Sequence, residues 1–366
     1  MIIVASCGHS SDDERIYYKQ IQSLKSISNA IVYFTYNKSD ENLSDNVINH
    51  YPFNSKICSI AKYKKAIIRY ILKNNIQIIH IHDLELLPLV KQVKLKNKNI
   101  KIIYDVHEDL ISMWDAFSSY SGLLKKIINF YLSKFEEYHL KYIDSFILAN
   151  QFADRTRYES FGKVHIVENF PLLNNINTKE NIDIPYKLIY HGQLDENRGI
   201  IHLIDAFNVL LKKNSEIELL FIGKTRTEKF NEIFNNKIKS NDKIKHLPVI
   251  PHAEIWSYLY NSHIGVIPFC DLTMLQKNTP TKLFEFMASE CAIVASSLLP
   301  ISSYGKNSIS YSIAGNVNSL VDAIELYLMN IDTYKKHINI NKKRIIDGYN
   351  WDCVSDRLIN IYRELM

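Results

Sequence analysis

Short runs of β-branched and other apolar residues alternate with stretches in which apolar positions return every three or four residues, almost from end to end. In the first half the runs fall at residues 2–5, 30–35, 77–81, 101–104, 145–148 and 163–167. Helical spacing occupies 15–25, 62–73, 84–94 and 123–142. The pattern restarts at 188–191 and continues with runs at 217–222, 244–248, 264–267, 292–295 and 308–311. Helical stretches at 317–329, 333–347 and 351–365 close the chain. Alternation of this kind predicts parallel, doubly wound sheets with helices on both faces.

Between the two halves lies ENFPLLNNINTKENIDIP, polar, rich in Asn and bracketed by Pro171 and Pro185. It reads as a linker. At 366 residues the chain is also longer than one hydrophobic core usually supports. The expected organisation is a Rossmann-like domain over 1–170, a linker at 171–185, a second Rossmann-like domain over 186–350, and a helix at 351–366 that packs back on the first domain. The fold class is α/β, with a ligand cleft expected between the domains at the carboxyl ends of the strands.

Composition changes this picture little. Hydrophobic residues at 46% and charged residues at 23% are ordinary for a globular chain. Cys7, Cys58, Cys270, Cys291 and Cys353 are scattered with no CxxC, which predicts reduced thiols and a cytoplasmic setting. The opening MIIVASCGHSSDDER turns polar too soon for a signal peptide, and nowhere do 18 apolar residues run together.

Charge is more informative. The net charge is only +5, yet between positions 56 and 101 eleven basic residues face only Asp83 and Glu85. Such a stretch attracts phosphates or an anionic membrane surface. No aromatic-and-basic RNA motif or zinc finger accompanies it, so nucleic acid is not an expected partner.

Candidate chemistry clusters where strands end. Gly8 follows the first run and permits a tight turn, with Asp13 and Arg15 opening the next helix. His80 and His82 alternate on one strand. No third ligand is evident in the sequence, so no metal is expected, and His82 is a candidate cleft residue. In YDVHED, His107 and Glu108 follow an apolar strand, a costly place for polar groups unless they face a ligand.

In the second half, Gly192 and Gln193 follow a strand, and Arg198-Gly199 precede a helix, where backbone N–H groups and a guanidinium favour an anion. Lys224 repeats the strand-Gly-Lys arrangement one unit later. In NTPTKLFEFMASE, Pro280 suits a helix start and Thr279 or Thr281 a cap. Lys282 and Glu285 then share one helix face, a lysine for a diphosphate and a carboxylate for ribose hydroxyls.

Taken together, these segments resemble the retaining glycosyltransferases of family 4, glycosyl transferases of group 1 with the GT-B fold, most strongly over 188–296. The resemblance implies that Gly192, Gln193, Arg198, Gly199 and Lys224 bind the donor pyrophosphate region. Thr279, Pro280, Thr281, Lys282, Leu283 and Glu285 would hold the diphosphate and ribose, and Val249 the base. It places His107 near the donor sugar, with Gly8, Asp13, Arg15, His82 and Glu108 on the acceptor side. His107, Arg198 and Lys282 are the expected catalytic groups.

Two departures stand out. The family often has Arg where this chain has Gln193, and a Glu where it has Lys277, eight residues before Glu285. The implied reaction is metal-independent sugar transfer with retention from a nucleotide-diphosphate sugar to a polysaccharide or lipid-linked glycan, with no cofactor. Separately, the basic stretch at 56–101 and the amphipathic segment at 123–142 make an anionic inner membrane face an expected partner. A non-catalytic nucleotide-sugar-binding subunit and a nucleotide-sugar 2-epimerase are the alternative readings.

Overall fold

In the computed structural model, no residue of the opening strand, β1 (Ile2–Ala5), has any exposed surface. Parallel sheets need cover on both faces, and an unbroken apolar run is what such a position requires. The structure describes residues 1–9, 11–35, 48–52, 58–107, 114, 118, 120–175, 186–213 and 216–366. It divides into two units, Met1–Asn169 with Trp351–Met366, and Phe170–Asn350. Residues 176–185 of the expected linker lie outside the described residues.

In the first unit β1 is followed by β2 (Ile31–Thr35), β3 (Ile48–Pro52), β4 (Ile78–Ile81), β5 (Lys101–Val106), β6 (Ser145–Leu148) and β7 (Lys163–Ile166). They form one sheet in the order β3-β2-β1-β4-β5-β6-β7, parallel throughout. Ile2 pairs with Ile31 on one side and Ile78 on the other, so the chain direction of winding reverses at β1. Loops leaving β1, β4 and β5 therefore emerge side by side, at the kind of switch point where doubly wound folds bind ligands.

Strand β3 was not expected. Its sequence INHYP has no alternation and ends in a proline, but it is the edge strand, where pairing on one side only tolerates a missing N–H. The helix expected at 15–25 begins at Glu14 as a π-helix to Ile21 and continues as an α-helix over Gln22–Leu24. Asp13 caps it, its Oδ1 accepting from Ile16 N at 2.9 Å. The C-terminal helix Trp351–Leu365 belongs to this unit. Tyr362 and Trp351 reach His80 Nδ1 at 2.7 Å and Ser23 Oγ at 2.9 Å.

The second unit holds β8 (Tyr186–His191), β9 (Ile217–Ile222), β10 (Ile244–Leu247), β11 (Ile264–Ile267), β12 (Ala292–Ser296) and β13 (Ser310–Ser312). Their order is β10-β9-β8-β11-β12-β13, again all parallel, with the switch between β8 and β11. Gly265 shows how closely this sheet is covered: a Cβ there would stand 2.4 Å from the Phe286 ring on the helix Lys282–Ala288.

Candidate functional site

At the end of β8 the backbone turns through Gly192 with φ +105°, and the end of β9 turns through Gly223 with φ +144°. A side chain at Gly223 would collide with the Gly192 carbonyl, a Cβ standing 2.0 Å from it. Only glycine holds both turns this close. Beyond Gly192, Leu194 and Thr225 pair as an isolated bridge, so the two loops continue the sheet one step past its strands.

The following turn is pinned by Asp195, whose Oδ1 accepts from Arg198 N at 2.8 Å. Gly199, with φ +67°, then brings the start of helix Ile200–Lys213 against Pro268, where a Cβ would stand 1.7 Å from the carbonyl oxygen. Sequence reasoning missed Asp195; the signal was its spacing three residues before Arg198, the geometry of a side-chain turn.

This turn sets the Arg198 guanidinium 4.6 Å from the centre of the Phe269 ring. Lys282 approaches the same ring, its Nζ 5.3 Å from the centre, and sits 3.8 Å from the Tyr190 ring while donating to the His191 carbonyl. Burial, then the Arg198 charge, hold the Lys282 ammonium well below its ordinary pKa. Two cations thus converge on one aromatic ring, and neither has an ion-pair partner among the described residues.

Glu285, one turn along, is differently placed. Its carboxylate lies 3.2 Å from His191 Nε2 and 3.0 Å from His252 Nε2. Burial pushes this carboxyl up, but the two imidazoles outweigh burial and hold it well below the usual range. His191 and His252 were not among the expected site residues, and only the first, adjacent to Gly192, could have been suspected.

Several expectations need correction here. Neither Thr279 nor Thr281 caps the helix Lys282–Ala288. Thr281 has helical backbone angles and makes no capping bond, and the buried Thr279 hydroxyl has no hydrogen-bond partner among the described residues. The first turn opens instead with Leu283 N donating to the Pro280 carbonyl at 3.0 Å, ahead of the helix. The Leu283 side chain is packed into the core. Lys224 and Val249 are exposed beyond their strands, and Gln193 offers its carbonyl to Tyr190 Oη at 2.8 Å.

In the first unit the loops after β1, β4 and β5 meet around Asp105, which has no exposed surface. Arg15 grips it with Nη2 at 3.1 Å to both oxygens, and Gln20 donates to it at 2.5 Å. Burial raises this carboxyl, but the Arg15 charge wins and brings it down to about 2. Arg15, expected to face an acceptor, is only 4% exposed and is committed to Asp105. Asp105 went unnoticed because an aspartate inside an apolar strand carries no periodic signal.

His82 Nδ1 lies 3.0 Å from His107 Nε2, and burial brings the His107 imidazole down to about 4. Asp83 accepts from Cys7 N at 2.7 Å, and a Cβ at Gly8 would stand 2.5 Å from its Oδ1, so a side chain there would push the Asp83 carboxylate aside. Asp13 also contacts His9 Nδ1 at 3.0 Å. Glu108 lies outside the described residues.

The expectation that the His80–His82 pair lacks a third ligand is also corrected. Asp105 Oδ2 stands 3.8 Å from both His80 Nε2 and His82 Nδ1, close enough for one ion to join them. The carboxylate is already neutralised by Arg15, however, so the donor set fits a proton-sharing network better than a divalent cation.

Two parallel doubly wound units with glycine turns at their switch points define the GT-B fold. Residues 185–330 match the family model described as Glycosyl transferases group 1. No match was found among curated proteins. Among solved structures, the chain is similar to sucrose-phosphate synthase from Thermosynechococcus elongatus at 15% identity, TM-score 0.78, covering 100% of this chain and 98% of that one. It is similar to HepE of Anabaena, solved in complex with UDP, at 11% identity, TM-score 0.75 and 99% coverage of each. A trehalose-6-phosphate synthase studied for glycosyl transfer with retention matches at 12% identity and TM-score 0.71, covering 100% of this chain and 99% of that one.

Proposed function

We propose that the protein transfers a sugar, with retention of configuration and without a metal, from a nucleoside-diphosphate sugar to a polysaccharide or lipid-linked glycan at the cytoplasmic face of a membrane. The observation that carries this reading is the convergence of Arg198 and Lys282 on Phe269, neither of them in a direct ion pair among the described residues. Placing two cations together is costly unless an anion joins them, and a diphosphate supplies one. Bound there, it would restore the Lys282 proton that burial now disfavours.

The same pair serves the chemistry. As the sugar leaves, negative charge grows on the diphosphate, and cations already in place stabilise that charge without reorganising. Glu285 takes the ribose hydroxyls, its carboxylate held ionised by His191 and His252. Retention is supported by the fold shared with a trehalose-6-phosphate synthase studied for it. Gln193 and Lys277 in place of the family's Arg and Glu favour one second reading, a subunit that binds nucleotide sugar without transferring it.

A thermal-shift screen of nucleotide sugars tests both. A donor at 100-fold excess over its dissociation constant adds about 2.7 kcal/mol of stability. Release of nucleoside diphosphate by the purified chain then separates transfer from mere binding. If no nucleotide sugar shifts the melting temperature, both readings fall.

A further inference from the structure

Helix Gly122–Leu140 presents a long apolar stripe to solvent. Leu123, Leu124, Ile127, Phe130, Tyr131 and Phe135 all face solvent, with Leu123 74%, Phe130 60% and Tyr131 67% exposed. With Tyr138 they lie within an arc of about 140° around the helix and extend along about 23 Å of it. The opposite face, toward the protein, carries Asn129, Ser133, Glu136 and His139 beside the half-buried Leu132 and the buried Leu140. Of these Glu136 is buried and engaged by Arg157 and, at 3.2 Å, by Tyr158. A helix of a water-soluble surface turns its apolar stripe inward; this one turns it outward, and an exposed stripe of this size marks a docking face.

We infer that this face lies on an anionic lipid bilayer, with the aromatic stripe in the headgroup and acyl boundary and the surrounding lysines on the phosphates. The charge around the stripe selects that occupant. Helices Leu87–Lys96 and Gly122–Leu140, together with Lys141, carry seven lysines against Glu136 and Glu137; of the seven, Lys94 is tied to Asp144 and Lys134 to Glu137, each at 2.6 Å. A protein interface depletes lysine at its centre, whereas a bilayer of negative surface potential attracts it.

At one end of the stripe the Lys91 and Lys141 ammonium groups lie 5.0 and 4.3 Å from the centre of the Tyr138 ring. Apolar stems and rings side by side with charged heads are how interfacial residues sit at a headgroup layer. No helix among the described residues is long and apolar enough to cross a membrane, so this one lies in the plane of the interface. The docking face rests on the proposed membrane location of the transfer reaction and supplies its physical means.

The test is sedimentation of the full chain with phosphatidylcholine vesicles, with and without phosphatidylglycerol, at low and raised salt. The wild type should sediment with the anionic vesicles and be released by salt. Phe130→Ser with Tyr131→Ser should lower the bound fraction roughly tenfold, and Lys126→Glu with Lys134→Glu should abolish the preference for phosphatidylglycerol. Both variants should keep the thermal shift given by nucleotide sugar, whose proposed binding residues lie in the other unit. Leu124→Gln with Ile127→Gln replaces the aromatic variant should that fail to fold.

Failure of the wild type to bind, or undiminished binding by the stripe variants, overturns the inference. So does a dimer in sedimentation velocity that the stripe variants dissociate, which assigns the face to a second copy of the chain. Vesicle binding without any nucleotide-sugar shift keeps the docking face and sinks the transfer reading; the reverse result sinks only the face.

Discussion

Gly192 makes room for Lys282: a Cβ at position 192 would stand 3.2 Å from the Lys282 Nζ, and the backbone there has φ +105°. Gly192→Ala should therefore both strain the turn, by about 1–3 kcal/mol, and displace the ammonium. The expected result is a fall in donor affinity larger than the fall in melting temperature would explain, read by calorimetric titration with the nucleotide sugar. Unchanged affinity would separate the glycine from the lysine.

Removing either cation should spare the fold and damage transfer. Arg198→Ala and Lys282→Ala are each expected to cost on the order of 10²–10³ in rate. Lys282→Arg should recover little, because the space between Tyr190 and the His191 carbonyl suits a compact ammonium rather than a planar fork. Turnover at saturating donor, measured beside the melting temperature, checks this. Near-wild-type turnover in both alanine variants would remove the phosphate-binding model.

Glu285→Gln takes the anion from between His191 and His252 while keeping the shape. Loss of a hydrogen bond to a charged group costs about 1.5–3 kcal/mol, so the dissociation constant for the nucleoside diphosphate should rise about tenfold or more. A nucleotide lacking both ribose hydroxyls should bind wild type and variant alike. A variant equally weakened toward that nucleotide would show that Glu285 acts on the fold and not on ribose.

Asp105 and Arg15 are buried together, so removing one leaves the other uncompensated. Asp105→Ala should cost about 3–5 kcal/mol of stability. The double replacement Arg15→Met, Asp105→Leu should recover much of it, because no buried charge is then left alone. Denaturant titration of the two variants beside the wild type decides.

Acid should weaken the first unit. His80 is brought from 6.5 down to about 4 by burial, so the folded chain holds it neutral where the unfolded chain protonates it. Stability tied to that group is complete above pH 6.5 and is lost as pH falls toward 4, by on the order of 3 kcal/mol. Asp105 adds a second loss below 3.8, as pH falls toward 2. His9 works the other way: burial lowers its pKa, but Asp13 outweighs that and raises it, so its share is present in acid and lost on the alkaline side. With Trp256→Phe removing the second unit's tryptophan, fluorescence from the first unit should show an acid-shifted denaturation midpoint. A midpoint flat between neutral pH and 4 would contradict the assignment.

The order of strands and helices was legible from periodicity, because strands covered on both faces must be continuous apolar runs and their crossover helices must be amphipathic. The run at 264–267 coincides with β11 and the helical stretch at 317–329 with the helix Val317–Met329. The edge strand Ile48–Pro52 was not legible, since pairing on one side imposes no pattern on the sequence. Glycines, Arg198 and Lys282 also stood out locally, because tight turns and cations after a strand are short-range signals.

What only the tertiary structure decided is which groups meet. Arg15 and Asp105 are ninety positions apart and pair across the sheet, turning an expected ligand contact into a buried tie. His252 reaches Glu285 across 33 positions, and Phe269 becomes the shared platform of Arg198 and Lys282. Local pattern records what each segment demands of its own backbone. Partnership between side chains depends on the order in which strands sit beside one another, and that order is a property of the folded sheet.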